Sequence, residues 1–593
     1  MKLSNECKKI CLLLGLGMLT FSLVGCWAGP QRKTASYPID SDVQTTLQRT
    51  IVPGSPAAGL IPLSALASYE AYGYGTWTWG AGLPYDKRLD LMPAGYTDAF
   101  VTETKKLLSF FTISDIHITD KEAPNQLIYL QGLWPTKPTG IALYSGSMLY
   151  TTQVLDAVVQ TINALHQKKP FDFGISLGDT CNSTQYNELR WYIDVLDGKY
   201  INPSSGDHLG ASTIDYQKPF QAAGLDKAIP WYQTFGNHDH FWMGSFPVDG
   251  GPRAGLRQAY ITDEVFATSN LFLDFKKIND RIYYMGVIDG STPYGNIIKA
   301  GPTAEYASVP KVAADPNRQS LKRNEWMREF FITDSNPVGH GFNLTDADNG
   351  FACYSFVPKA TVPIKVIVLD DTQNEKDKSA DIHGHGFLDA KRWAWLKQQL
   401  AEGDTAGQLM IIAAHIPISV EVSAANSEMC WWLDPQNAVT LQGLVDELQS
   451  HPNLIMWMSG HRHLNTVKAF MSSDPNHPEK GFWQVETPSL RDFTQQFRTF
   501  EIGLNSDYTI SIFTTDVDPA VKAGSMAATS RKYAIAAGQV VGYWNIITKY
   551  NPTNDPTVKL MPTASYNAEL VKPLSPAMAA KMRELYPTPS KPK

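Results

Sequence analysis

Five short polar clusters, each standing directly after an apolar run, constrain this chain more than any other feature. They are Asp115-Ile116-His117, Gly178-Asp179, Gly236-Asn237-His238-Asp239, Ala414-His415 and Gly460-His461-Arg462-His463. The runs before them, at 107–113, 171–177, 232–235, 409–414 and 454–458, suit buried strands. Further strands are expected at 283–288 and 364–369. Between strands the spacing turns helical. Residues 152–166 place Val154, Leu155, Val158, Val159, Ile162 and Leu165 on one face, and helices are expected near 388–402 and 435–449. After residue 480 strands dominate, at 483–486, 498–503 and 508–513. Strand–helix alternation of this kind predicts an α/β (α+β) fold. Ligands in such folds bind beyond the carboxyl ends of strands, so the polar clusters point to one site.

The residue types in the clusters point to metal. Singly, a D-x-H or a G-D occurs by chance in many chains; five in succession at strand ends do not. Carboxylate, imidazole and amide oxygen together suit Zn, Mn, Fe, Co or Ni. One aspartate can bridge two ions. Two ions about 3.5–4 Å apart hold a hydroxide between them and stabilise in-line displacement at phosphorus. The glycines permit the tight turns that bring backbone close to such ions.

In order and content these motifs resemble those of the calcineurin-like metallophosphoesterase superfamily: D-x-H, G-D, G-N-H-D/E, H and G-H-x-H. The resemblance covers about residues 105–515 and implies a four-layer α/β/β/α sandwich with two divalent or mixed-valence metal ions. It places Asp115, His117 and His463 on the first metal and Asn237, His415 and His461 on the second, with Asp179 bridging. It makes His238 the group that contacts phosphate and protonates the leaving alkoxide, and it lets Asp239 orient His238. Purple acid phosphatases, a subgroup, carry a metal-binding tyrosine three residues after the bridging aspartate. Here that residue is Asn182, so a tyrosinate–iron site is not expected. The nucleotidase subgroup usually has glutamate where this chain has Asp239, and a separate C-terminal domain for which the tail after 515 looks too short. The implied activity is hydrolysis of a phosphomonoester or phosphodiester by a metal-bridging hydroxide. A phospholipid-headgroup or sugar-nucleotide pyrophosphatase is an alternative within the same chemistry. A non-catalytic, metal-stabilised glycan-binding surface protein is an alternative outside it, although such a protein has no need of His238.

The 593 residues are 43% hydrophobic and 18% charged, enough for a large core. A net charge of −7 makes a nucleic acid polymer an unexpected partner, because like charges repel. Residues 1–25 are expected to be a lipoprotein signal peptide. Lys2, Lys8 and Lys9 precede an apolar stretch at 10–24 that is too short to span a bilayer. Leu23-Val24-Gly25-Cys26 resembles a bacterial lipobox, which implies a lipid on Cys26 and an anchored place in the cell envelope, on the periplasmic or extracellular face. Residues 26–104 are expected to be a tether and an aromatic-rich arm. Two long interruptions, near 183–228 and 241–355, are expected to form a cap or rim over the site. Residues 516–593 are expected to be a C-terminal extension whose Pro-rich end, 550–593, is either a surface-hugging or a loose tail. Of the cysteines beyond the signal and Cys26, Cys353 and Cys430 are one option for a disulfide and Cys181 is expected to be a buried spectator. Weaker candidates for the pocket are His240, His340, His383, His385 and Arg491. Arg462, between two ligands, is expected to point away and pair with an acid.

Overall fold

A computed structural model of the chain describes residues 38–56, 61–133, 143–206, 219–248, 260–270, 279–289, 294–375, 384–418, 436–542, 558–559 and 565–587, with a few single positions between them. The signal segment, Cys26, His383 and Cys430 lie outside the described residues, and so does any Cys353–Cys430 pairing. No helix among the described residues is long and apolar enough to cross a membrane.

The fold is mixed α/β, built on two seven-stranded sheets. In spatial order the first sheet runs Asp86–Arg88, Ala568–Lys572, Ile510–Val517, Phe497–Asn505, Glu103–Ile113, Phe173–Ser176 and Trp231–Gln233. The second runs Tyr354–Phe356, Ile364–Val368, Leu409–Ala413, Leu454–Ser459, Phe482–Glu486, Val467–Phe470 and Val558–Lys559. Each sheet has a parallel centre: Glu103–Ile113, Phe173–Ser176 and Trp231–Gln233 in the first, and Ile364–Val368 through Phe482–Glu486 in the second.

The period-two alternation of strands sets the layers. Ile364, Val366, Val368, Leu409, Ile411 and Ala413 share one core with Phe110, Phe500 and Ile502 of the first sheet. Their neighbours Ile367, Met410 and Ile412 face the other way, onto Leu396, Leu400, Leu444 and Leu448. Those leucines belong to the helices Ala390–Thr405 and Leu441–Ser450, which begin on the side-chain caps Asp389 and Thr440. The helix Thr151–Lys168 buries Val154, Leu155, Val158 and Ile162 in the first core. The order is helix, sheet, sheet, helix, as the family resemblance implies.

Two expectations change, and one expected strand forms in a sheet of its own. Residues 183–228 do not simply form a cap, because the helix Tyr186–Leu196 buries Leu189, Tyr192, Ile193 and Leu196 in the main core. Its apolar face is long enough to join the helical layer. The strand Tyr283–Ile288 forms, but it pairs with Ala267–Thr268 and Ile297–Pro302 in a separate three-stranded sheet. The C-terminal residues are not all a loose extension. Ala568–Lys572 is an interior strand of the first sheet, antiparallel to Ile510–Val517 and parallel to Asp86–Arg88 of the N-terminal arm. The arm itself pairs Arg49–Pro53 with Trp77–Ala81 and lies on the helix Met526–Val540 through Ile51 and Trp77.

Leu570 is fully buried in that strand. Leu570→Ala should therefore destabilise the protein by about 2–5 kcal/mol in urea unfolding. A tail lying loosely on the surface would respond by less than about 0.5 kcal/mol.

Candidate metal centre

The parallel strands of both sheets deliver their carboxyl ends to one place. Asp115 and His117 follow Glu103–Ile113, Asp179 follows Phe173–Ser176, and Asn237 and His238 follow Trp231–Gln233. From the second sheet, His415 follows Leu409–Ala413, and His461 and His463 follow Leu454–Ser459. The ends are stitched together by backbone. His117 N donates to Asp179 O at 3.1 Å, and Gly460 N donates to His415 O at 2.9 Å. His461 N crosses between the sheets to the Asp115 carboxylate, at 3.2 and 3.1 Å from its two oxygens.

The local backbone is strained. Asp115, His117, Asp179, His461 and His463 have φ of 52°, 47°, 53°, 73° and 60°. For a non-glycine residue the left-handed region costs about 1–2 kcal/mol, and such residues gather where the surrounding structure holds a functional geometry. Two glycines permit the close approach. A Cβ on Gly236 would stand 2.3 Å from Asp179 N, and one on Gly460 would stand 2.0 Å from Ser114 Oγ.

Among the described residues the donor atoms converge in two groups joined by Asp179, and His238 stands close enough to His117 and Asp179 to make a third cluster with them. In the first, His117 Nε2 lies 3.2 Å from His463 Nε2, and Asp115 Oδ1 lies 3.4 Å from His463 Nε2 and 3.9 Å from His117 Nε2. In the second, Asn237 Oδ1 lies 3.0 Å from His415 Nε2 and 3.1 Å from His461 Nδ1, and the two imidazoles are 3.2 Å apart. Asp179 joins them: its Oδ2 is 3.6 Å from His117 Nε2 and 3.3 Å from His415 Nε2. Four ligands about 2.1 Å from one ion stand about 3.4 Å apart at tetrahedral angles. The donor set therefore suits a metal ion in each group. Apart from His463 and His238, these side chains are buried.

Four of these side chains are turned inward by a second contact. His415 Nδ1 donates to Leu177 O at 2.8 Å, which leaves Nε2 for the site. Asn237 Nδ2 donates to Gly244 O at 2.9 Å, which aims Oδ1 inward. Asp179 Oδ1 accepts from His238 N at 2.8 Å, which leaves Oδ2 between the groups. His463 Nδ1 donates to Asp492 Oδ2 at 2.6 Å. Such outer contacts set imidazole orientation and basicity. Asp492→Asn should weaken binding at the first group about 10–100-fold by this rule, read as a loss of affinity for one of two ions in a metal titration. Two unchanged affinities would dismiss that role.

The electrostatics favour cations. Burial pulls His415 down, yet the carboxylates of Asp179, Asp115 and Asp371 together outweigh it and raise the ring to about 10. Burial likewise opposes His463, which Asp115 and Asp492 raise to about 9. Without a cation between them, the carboxylates hold protons on these rings instead, and metal binding would release those protons. His117 goes the other way: burial and the neighbouring His238 ring hold it well below its ordinary value.

His238 Nδ1 donates to Asn182 O at 2.6 Å. With Nδ1 committed there, Nε2 is the nitrogen left to face a substrate. Burial lowers the His238 pKa and outweighs the raising effect of Asp179, so the free ring is neutral at pH 7. The expectation that Asp239 orients His238 does not hold. The Asp239 carboxylate accepts from Gly236 N, Asp179 N, Thr180 N, Thr180 Oγ1 and Cys181 N, at 2.7–3.2 Å. It sits under the turn that carries Asp179, not beside the imidazole.

The weaker candidates separate. His240 is buried, with Nδ1 2.8 Å from Glu375 Oε1, and lines a cavity of about 420 Å³ with Arg323, Asn374 and Lys391. His340 is stacked on Trp231 at 3.5 Å and bonded to Trp231 O and Thr333 Oγ1, so it belongs to the core and not to the pocket. Gly384, between His383 and His385, packs beside His461: a Cβ there would lie 3.6 Å from Cε1. The Cys181 thiol is fully buried and pushed well up by burial. Arg462 Nε donates to Glu486 Oε1 at 2.7 Å. Two residues were overlooked, Asp492 and Asp371. Asp371 accepts from His415 N at 3.2 Å and Ile416 N at 3.1 Å and holds the His415 turn. Both stand beyond the ends of apolar strands, Asp371 after Ile364–Val368 and Asp492 after Phe482–Glu486, so the strand-end rule that picked out the candidate donors reaches them as well.

The structure thus defines a buried, two-part His/Asp/Asn site at the meeting point of two sheets. Among solved structures, the chain is similar to a dimetal phosphatase from Danio rerio, at 12% identity and a TM-score of 0.34, over 70% of this chain and 100% of that one. It is also similar to GAP50, described as the anchor in the inner membrane complex of Plasmodium, at 12% identity and a TM-score of 0.29, over 71% of this chain and 87% of that one. No protein-family model and no curated protein matches the sequence. At that level of likeness the site's own geometry has to carry the function.

Proposed function

We propose that the chain is a dinuclear-metal phosphoesterase acting on a phosphomonoester or phosphodiester. One observation carries this reading: Asp179 Oδ2 stands within 3.6 Å of a donor in each group while its other oxygen is tied to His238 N. Asp115, His117, His463 and Asp179 would hold one ion, and Asp179, Asn237, His415 and His461 the other. Bound there, first-row divalent ions would polarise phosphoryl oxygens and lower the pKa of water.

The chain's own residues do the rest. Asp492 and the Leu177 and Gly244 carbonyls keep the donors aimed without a substrate present. His238, neutral in the free protein, gains charge stabilisation when an anionic ester arrives beside it, and Nε2 then holds the proton that the leaving alkoxide needs. The segment from Lys2 to Cys26 supports a place outside the cytoplasm, tethered by lipid on Cys26; Cys26→Ser would then move the protein from the membrane to the soluble fraction.

The test is a substrate panel with the full chain reconstituted with Zn, Mn, Co, Ni or Fe. It compares 4-nitrophenyl phosphate, bis(4-nitrophenyl) phosphate, a sugar nucleotide and a phospholipid headgroup ester. Metal-dependent turnover of at least one, abolished by a chelator and restored by metal, is expected. Metal-loaded protein that cleaves none of them contradicts the proposal.

A further inference from the structure

Among the described residues, His238 has one ring hydrogen bond, from Nδ1 to Asn182 O. Its aim therefore depends on the position of that carbonyl, with the His117 ring packed edge-on at 4.5 Å. No regular strand sets it. Asn182 ends an isolated bridge between Ile118 and Cys181, with Asn182 N donating to Ile118 O at 2.9 Å, and two residues later Thr184 turns into the left-handed region at φ 55°.

The Asn182 side chain supplies the missing restraint. It is fully buried. Its Nδ2 donates to Gln126 Oε1 at 3.0 Å, and its Oδ1 accepts from Arg491 Nη1 at 3.1 Å. Arg491 is itself 1% exposed, and Nη2 donates to Ile141 O at 2.5 Å. Both ends of the guanidinium are thus engaged with protein. The same short segment is pinned to the metal donors. Arg491 N donates to Ser489 Oγ at 3.0 Å and to Asp115 O at 3.3 Å, and the next residue, Asp492, holds His463. One dipeptide therefore touches a metal donor on one side and, through Asn182, the proton donor on the other.

We infer that Arg491 is a positioning residue that acts through Asn182 to register His238 against the metal-binding residues. The inference rests on the reading of His238 as the proton donor. It gives Arg491 a role distinct from direct phosphate binding, and it gives Asn182 one of its own: a fixed carbonyl, braced from behind by a buried cation.

The test uses the full metal-reconstituted chain and esters that differ in leaving group. A misaimed proton donor hurts a poor leaving group far more than a good one. Arg491→Gln should lower turnover of phenyl phosphate about 10–100-fold and of 4-nitrophenyl phosphate by only about 3-fold, with metal content unchanged. In a His238→Ala background the same substitution should add no more than about 2-fold, because the group it positions is gone. Asn182→Leu, which also keeps the test open if Arg491→Gln fails to fold, should reproduce the pattern. Asn182→Asp, which still offers Arg491 an acceptor, should retain most of the turnover that Asn182→Leu loses. Independently of turnover, ¹⁵N-histidine spectra of the protein without metal should show the His238 Nδ1–H signal, identified by its loss in His238→Ala, weakened or shifted in the Arg491 and Asn182→Leu variants. Equal loss for both esters, full additivity with His238→Ala, or an unchanged Nδ1–H signal each overturns the inference. If the unmutated protein cleaves no ester at all, the proposed phosphoesterase function fails instead, and the spectra still decide whether Arg491 positions His238.

Discussion

Asp179→Asn is expected to lower phosphoester turnover by at least about 10³-fold, or about 4 kcal/mol of barrier, and to lower metal content at both positions together. The reason is local and stereochemical. Asp179 Oδ1 accepts a hydrogen bond from His238 N, and Oδ2 lies between the two donor groups. An amide has one oxygen. If that oxygen keeps the bond to His238 N, an NH₂ group would face ions held by both donor groups; if it turns to them, an NH₂ would meet an N–H. Neither arrangement supplies the negative charge that offsets two cations. Turnover of 4-nitrophenyl phosphate, elemental analysis of the purified variant and a thermal melt test this together. A variant with wild-type metal and more than about a tenth of the activity would remove Asp179 from the bridging role. Loss of one ion alone would limit it to one group.

His238→Ala is expected to behave differently. It removes no metal donor in the proposed set, so both ions stay, and turnover falls by about 10²–10⁴-fold for esters with poor leaving groups. The loss should shrink as the leaving group improves, because a stable phenolate departs without a proton. This pairing of unchanged metal with a leaving-group-dependent loss separates His238 from its neighbour Asn237, whose Oδ1 lies among the second donor group. A uniform loss across leaving groups would assign His238 to substrate binding and not to proton transfer.

The central parallel strands and the donors were readable because each combines an apolar run with a polar end, a pattern local to about ten residues. The same locality explains what was missed. Asp86–Arg88 and Ala568–Lys572 are three and five residues long, the first wholly charged and the second carrying Glu569 and Lys572. They become strands only because partners distant in sequence supply the hydrogen bonds, Ile510–Val517 for the second and each other for both. Tyr283–Ile288 was legible as a strand, but its sheet was not, since pairing depends on Ala267–Thr268 and Ile297–Pro302. Side-chain direction was the other limit. The family resemblance lets Asp239, the residue after His238, orient it. The short helical turn at Asn237–Asp239 instead sends its carboxylate to the 179–181 backbone and leaves His238 to Asn182. His340 has the flanking glycines of a loop residue, yet stacking on Trp231 buries it in the core.

The most direct test of the central claim is a crystal of the metal-reconstituted protein measured at the absorption edge of the bound metal. Anomalous difference density should show two peaks about 3.5–4 Å apart. One should lie among Asp115, His117 and His463, the other among Asn237, His415 and His461, with Asp179 Oδ2 between them. A single peak, or two peaks that do not share Asp179, would contradict a bridged two-metal centre.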